Sequence, residues 1–128
     1  MEIDHIGYVV KNLDKAKEAM ETLGYLFGEI IKDAERNIYI IFGEMNGYRI
    51  ELVAPMSQGS PVDTYLSKIG ATPYHICYKS KNIEEDIENL RKSQFKVSIP
   101  LTPAIAFGGK RVVFLYSLSL GLIEIVEQ

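Results

Sequence analysis

The chain has a single cysteine, Cys77, so it cannot form an internal disulfide, and a reducing compartment is the expectation. It has no run of Lys and Arg, and its net charge is −3. Neutralising phosphates needs clustered cations, so nucleic acid is excluded as the main partner. No apolar stretch approaches the ~20 residues needed to cross a bilayer. The opening "MEIDH" has acidic residues where an export signal would be positive, so the expected location is cytoplasmic, with no membrane partner. Low-complexity tracts are missing too. With 47% hydrophobic and 24% charged residues, the 128 residues suit one compact domain that builds its core without disulfide or metal staples. Histidine is scarce as well: there are only two.

Both histidines occur in the same context. "HIGYVVKNLDKAKEAM" from His5 matches "HICYKSKNIEEDIENL" from His75, an offset of 70 residues that pairs Ile6 with Ile76, Tyr8 with Tyr78 and Asn12 with Asn82. Each copy continues with an Asn suited to cap a helix. Apolar residues at helical spacing follow: Leu13, Ala16, Met20 and Leu23 in the first copy, Ile83, Ile87 and Leu90 in the second. The spacing predicts helices near 13–23 and 83–93. Strand-like segments follow at 25–32, 37–44 and 47–53, and again at 94–99, 110–116 and 120–126. Each half therefore reads βαβββ. The chain divides into modules 1–54 and 72–128, joined by a linker, 55–71, with a short helical pattern at Val62, Tyr65, Leu66 and Ile69.

The ends of the copies match again as "YRIELV" and "LIEIVE", aligning Glu51 with Glu124. A carboxylate in the middle of an apolar strand is costly to bury without compensation. If the halves pack as related units, His5, Glu51, His75 and Glu124 converge, and two imidazoles with two carboxylates suit one divalent ion such as Zn, Ni, Co or Mn. Structural readings stand beside this one. Glu51 pairs with Arg49 on its own strand face, Glu124 lies at an exposed edge, and a lone strand histidine is a hydrogen-bonded core residue. Cys77, two residues after His75, shares that histidine's face and suits a core role.

The duplicated pattern with His, Glu, His and Glu at these positions resembles the vicinal oxygen chelate superfamily over essentially the whole chain. The resemblance implies an α+β fold of two tandem βαβββ modules forming an incomplete barrel around a metal site, often in a homodimer. "SPVDTYLSKIGATPYHICY", 60–78, with "GGKRVVFLYS" and "GLIEIVE", is similar to the methylmalonyl-CoA epimerases within it. The "LSLGLIEIV" ending departs from the glyoxalase I pattern. Glyoxalase I (lactoylglutathione lyase), acting on a methylglyoxal hemithioacetal, is the enzyme alternative, and a ligand-sequestering resistance protein the non-enzyme one.

Both chemistries abstract a proton beside a carbonyl, and epimerisation needs a proton-transfer group on each face of that carbon. The resemblance assigns Glu124 to one face and Glu35, in "KDAERNIYI" sixteen residues before Glu51, to the other; "DAERN" also reads as a solvated turn. For the substrate, "AFGGKR" offers backbone amides at Gly109 beside Lys110 and Arg111, suited to a thioester oxygen or coenzyme A phosphates. An ordinary glycine turn is the alternative there. Tyr74 and Phe107 either line a pocket or pack.

Overall fold

A computed structural model describes residues 1–128. Residues 5–74 form one compact unit, and residues 1–4 with 75–128 form the other. Strand β1 (Glu2–Val9) begins in the second unit and runs into the first, which continues with α1 (Leu13–Leu23), β2 (Leu26–Phe27), β3 (Ile31–Asp33), β4 (Ile38–Met45), β5 (Tyr48–Pro55) and α2 (Asp63–Lys68). The other unit holds β6 (Thr72–Ser80, from His75 on), α3 (Ile83–Lys92), β7 (Lys96–Pro103), a 3-10 turn (Ile105–Phe107), β8 (Arg111–Ser117) and β9 (Gly121–Glu127). The duplicated βαβββ plan is thus present, in an α+β fold.

In the first unit the strands lie in the order β2-β4-β5-β1, with β3 also against β4; in the second the order is β6-β9-β8-β7. Within each unit the His-bearing strand runs parallel to the Glu-bearing strand: Gly7 is opposite Glu51, and Cys77 is opposite Glu124. One sheet face of each unit lies under its helix. Val10, Ile41, Leu52 and Ala54 pack with Leu13, Ala16 and Met20 of α1, while Val113, Leu115, Ile123 and Ile125 pack with Ile83, Ile87 and Leu90 of α3. Among them, Leu13, Ala16, Met20, Ile83, Ile87 and Leu90 are the residues whose helical spacing marked them as an apolar face. Each such fully buried aliphatic side chain stabilises the fold by roughly 1.5–3 kcal/mol relative to exposure.

The helix starts are as the asparagines predict. Asn12 Oδ1 accepts from Lys15 N–H at 3.0 Å. Asn82 Oδ1 accepts from Glu85 N–H at 3.4 Å, while its Nδ2 donates to the Glu85 carboxylate at 2.8 Å. The reciprocal half of a capping box is filled differently, because the Asn82 N–H donates to Ser80 Oγ.

Two strands differ from their expected extents. The segment 25–32 is broken into β2 and β3, because the pairing with β4 slips by one residue between Phe27↔Gly43 and Ile31↔Ile40. Phe27 packs its ring on Gly43, where an added Cβ would come within 2.5 Å of the ring. In the second unit, β7 runs on to Pro103 through Pro100, with irregular register. A strand containing proline is tolerated here because β7 lies at the edge of the order and forms only one ladder, with β8.

Candidate metal and proton-transfer site

The sheet face of each unit opposite its helix holds a buried histidine and a buried glutamate. On β1 and β5, His5 and Glu51 are 1% and 4% exposed; on β6 and β9, His75 and Glu124 are 4% and 3% exposed. The Glu124 carboxylate therefore does not lie at an exposed edge. His5 Nε2 is 3.6 Å from Glu51 Oε2, and His75 Nε2 is 3.0 Å from Glu124 Oε2.

The register explains why the same pair forms twice. Gly7 and Cys77 follow their histidines by two residues and so share the histidines' face, and each is the residue opposite the glutamate on the parallel neighbour. Across the antiparallel ladder, Glu51 is opposite Phe42 and Glu124 is opposite Phe114. Each ring stands edge-on to the histidine of its own unit, with centroids 5.6 Å apart for His5 and Phe42 and 5.2 Å apart for His75 and Phe114.

Phe42 and Phe114 were not expected as site residues. Their signal lay in the repeat, one nine and the other ten residues before its glutamate. The extra residue lies in the connection: β4 and β5 join through a two-residue turn, Asn46 and Gly47, both with positive φ, whereas β8 and β9 join through three residues between Ser117 and Gly121.

The second unit also buries Cys77, Ala104, Val112 and Val126 against Phe107. Cys77 has a packing role there, and Phe107 is a packing residue of that cluster. Tyr74 packs on Tyr65, with ring centroids 5.1 Å apart.

The loop "AFGGKR" is built differently from a phosphate cradle. Its amide N–H groups are used within the loop: Gly108 donates to the Ile105 carbonyl, Gly109 to that of Ala104 and Lys110 to that of Phe107. Arg111 is occupied as well. Its Nε and Nη2 each lie 2.9 Å from Glu127 Oε2, and its Nη1 lies 2.7 Å from Glu84 Oε1. The Glu127 and Glu84 hydrogen bonds hold the Arg111 pKa above its ordinary value, and the Arg111 bonds hold both carboxyls below theirs. The Gly109 N–H and the Arg111 side chain thus have partners within this unit, in the loop itself, on β9 and on α3. The Lys110 side chain is exposed.

Glu35 is exposed at the tip of the β3–β4 turn. Ile38, where the chain re-enters the strand, is four residues from Phe42, the partner of Glu51, or about 13 Å along the sheet. The turn itself is tied on both sides of Glu35. Buried Asp33 accepts the Arg36 N–H through Oδ1 at 3.1 Å, and its Oδ2 lies 3.5 Å from Arg36 Nε. Asn37, at φ +57°, accepts from Ser57 Oγ at 3.0 Å and receives the Met56 N–H on its carbonyl. No helix is long and apolar enough to cross a membrane.

Residues 4–114 match the family model described as the glyoxalase/bleomycin resistance protein/dioxygenase superfamily. The mitochondrial methylmalonyl-CoA epimerase of Mus musculus is 27% identical over 98% of this chain and 72% of its own length. The ethylmalonyl-CoA/methylmalonyl-CoA epimerase of Cereibacter sphaeroides is 29% identical over 89% of this chain and 87% of its own. The crystal structure of methylmalonyl-CoA epimerase from Mycobacterium tuberculosis shares the fold, with a TM-score of 0.84 and 22% identity over 98% of this chain and 87% of that one.

Proposed function

The chain belongs to the glyoxalase/bleomycin resistance protein/dioxygenase superfamily, and from that premise we propose that it is a divalent-metal-dependent epimerase of a 2-carboxyacyl thioester of the methylmalonyl-CoA kind. The observation that carries the reading is the repeated buried His–Glu pair, one in each unit. A carboxylate almost fully removed from water is stable only against a cation or donors, and one imidazole per carboxylate is modest compensation. Two neutral imidazoles and two carboxylates form a donor set suited to a borderline divalent ion with coordination positions left for substrate oxygens. His5, Glu51, His75 and Glu124 would hold it. When bound, such an ion supplies Lewis-acid stabilisation of the negative charge that builds on the thioester oxygen as the α-proton leaves.

The residues of the chain do the rest. The phenylalanine edges at His5 and His75 fix the imidazole planes, so that each Nε2 keeps its direction towards its glutamate. Glu124 takes or returns the α-proton on one face of the carbon. Glu35 serves the opposite face from its tied turn, and one carboxylate gains a proton while the other gives one up, which inverts the centre. Lys110, exposed beside the glycine turn, is suited to a coenzyme A phosphate. The names of the relatives support the substrate class.

The test is α-proton exchange in D2O with methylmalonyl-CoA on the metal-loaded protein, alongside isomerisation of the methylglyoxal hemithioacetal. Exchange with inversion is expected for the thioester. Turnover of the hemithioacetal alone would assign a glyoxalase, and binding without turnover of either would assign a sequestering protein.

A further inference from the structure

The turn that bears Glu35 is held by the linker that follows β5. Asn37, two residues after Glu35, has a left-handed backbone at φ +57°. A residue with a side chain keeps that conformation when its surroundings fix it. The fixing groups come from twenty residues further along the chain. Asn37 Nδ2 donates to the Ser57 carbonyl at 3.3 Å and lies 3.4 Å from that of Gln58, Ser57 Oγ donates to Asn37 Oδ1 at 3.0 Å, and the Met56 N–H donates to the Asn37 carbonyl at 3.1 Å. Ser57, Gln58 and Gly59 are themselves exposed, so core packing does not hold them in place.

Asp63 does. The chain just past this stretch is anchored by buried Ser60 and Val62. From the first residue of α2, Asp63 Oδ2 reaches back to accept the Gly59 N–H at 2.9 Å and the Ser60 N–H at 3.1 Å, and the Asp63 N–H donates to the Ser60 carbonyl at 3.1 Å. Two charge-assisted bonds converging on one oxygen fix the exposed stretch to its buried root. The β7–β8 connection, which has the corresponding place in the other unit, is closed by its own amides and carbonyls between Ala104 and Lys110. Dependence on the linker is thus a property of the Glu35 turn.

We propose that Asp63 is a positioning residue for proton transfer: by bracing residues 57–60 it holds Asn37, and with it Glu35, where Glu35 serves its face of the α-carbon. This rests on the role given to Glu35 in the epimerase reading. Glu124 stands on β9, in the other unit, so a loosened linker should damage one half of the inversion and spare the other.

The test compares wild type with Asp63→Ala, which removes both bonds, Asp63→Asn, which keeps an uncharged acceptor oxygen, Glu35→Gln, and the double variant Asp63→Ala with Glu35→Gln. Inversion of methylmalonyl-CoA, α-deuterium exchange of each enantiomer in D2O and a metal titration are measured on each metal-loaded protein. Asp63→Ala should lower inversion by roughly 3- to 30-fold and leave exchange of the enantiomer whose hydrogen faces Glu124 within about twofold of wild type. Asp63→Asn should fall between, and carries the same test if the alanine variant does not fold. Added to Glu35→Gln, Asp63→Ala should lower inversion by less than about a further twofold, because a residue that acts through Glu35 then has nothing to act on. Metal stoichiometry should be unchanged throughout. An equal fall in exchange of both enantiomers, a full multiplicative loss in the double variant, or wild-type inversion in both Asp63 variants would each overturn the assignment. If wild type does not epimerise methylmalonyl-CoA, or Glu35→Gln inverts it at the wild-type rate, the underlying reading falls and this one with it; if Glu35→Gln loses inversion and both Asp63 variants keep it, only this one falls.

Discussion

Gln94 adopts φ +73°, the left-handed backbone region that Gly24, its equivalent 70 residues earlier, occupies at φ +112°. Both follow a helix whose last turn closes in the same way: Tyr25 N–H donates to the Met20 carbonyl, and Phe95 N–H donates to that of Leu90. The closure demands a left-handed residue, which glycine accepts without a Cβ clash and glutamine does not.

Gln94→Gly should therefore raise stability by about 1 kcal/mol, after the extra unfolded-state entropy of glycine is set against the relieved strain. Thermal unfolding of the two proteins measures it. A fall in Tm would mean that the Gln94 side chain contributes more than its backbone costs.

The metal prediction concerns His5 and His75. Chelator-treated protein should regain one equivalent of divalent ion per chain, and His5→Ala and His75→Ala should each abolish tight binding. Each substitution also leaves a buried glutamate without its imidazole, and should cost roughly 3–5 kcal/mol unless that carboxyl takes up a proton. Full stoichiometry and affinity in both variants would remove the metal site from the reading.

Arg111 should prove a structural residue. Glu127 and Glu84 have folded pKa values held below their unfolded ones by Arg111, so their contribution is present above the ordinary carboxyl range and lost as pH falls through the depressed folded values. Arg111→Met should therefore lower Tm slightly at neutral pH, less at high salt, and by a vanishing amount in strong acid. The coenzyme A affinity of Arg111→Met should equal that of wild type, and a weakened affinity would return Arg111 to the substrate.

How much of this was legible in the sequence depended on whether a residue's partner was repeated or merely nearby. The helices at Leu13–Leu23 and Ile83–Lys92, and the histidine and glutamate on neighbouring strands, were written twice, and duplication makes a weak pattern legible. The partners of Arg111 were not legible, because a cation beside two glycines looks available until Glu127, its neighbour across the β8–β9 ladder, is brought opposite. The break between β2 and β3 was invisible because it comes from a one-residue slip against β4, a long-range property. Phe42 and Phe114 carried no chemical signal of their own, since their ring contact with a histidine depends on register rather than residue type.

The last prediction concerns the turn that bears Glu35. If Glu35 serves one face of the α-carbon and Glu124 the other, removing Glu35 must not stop chemistry evenly. Glu35→Gln should keep the fold and the metal, reduce inversion by roughly a hundredfold or more, and still exchange the α-proton of the one enantiomer whose hydrogen faces Glu124. The turn is tied at Asp33 and Asn37, so loosening it should act in the same direction and more weakly. Asn37→Gly keeps the left-handed backbone and loses the tie to Ser57, while Asp33→Asn keeps an acceptor for the Arg36 N–H and loses the charge facing its Nε. Both should lie between wild type and Glu35→Gln in inversion, with exchange of the enantiomer whose hydrogen faces Glu124 unaffected, because a small misplacement of a proton-transfer group costs rate without costing metal. Deuterium content and configuration of recovered methylmalonyl-CoA, read separately for each enantiomer, measure all three variants, and a Glu35→Gln protein that inverts both enantiomers at the wild-type rate would take Glu35 out of the mechanism.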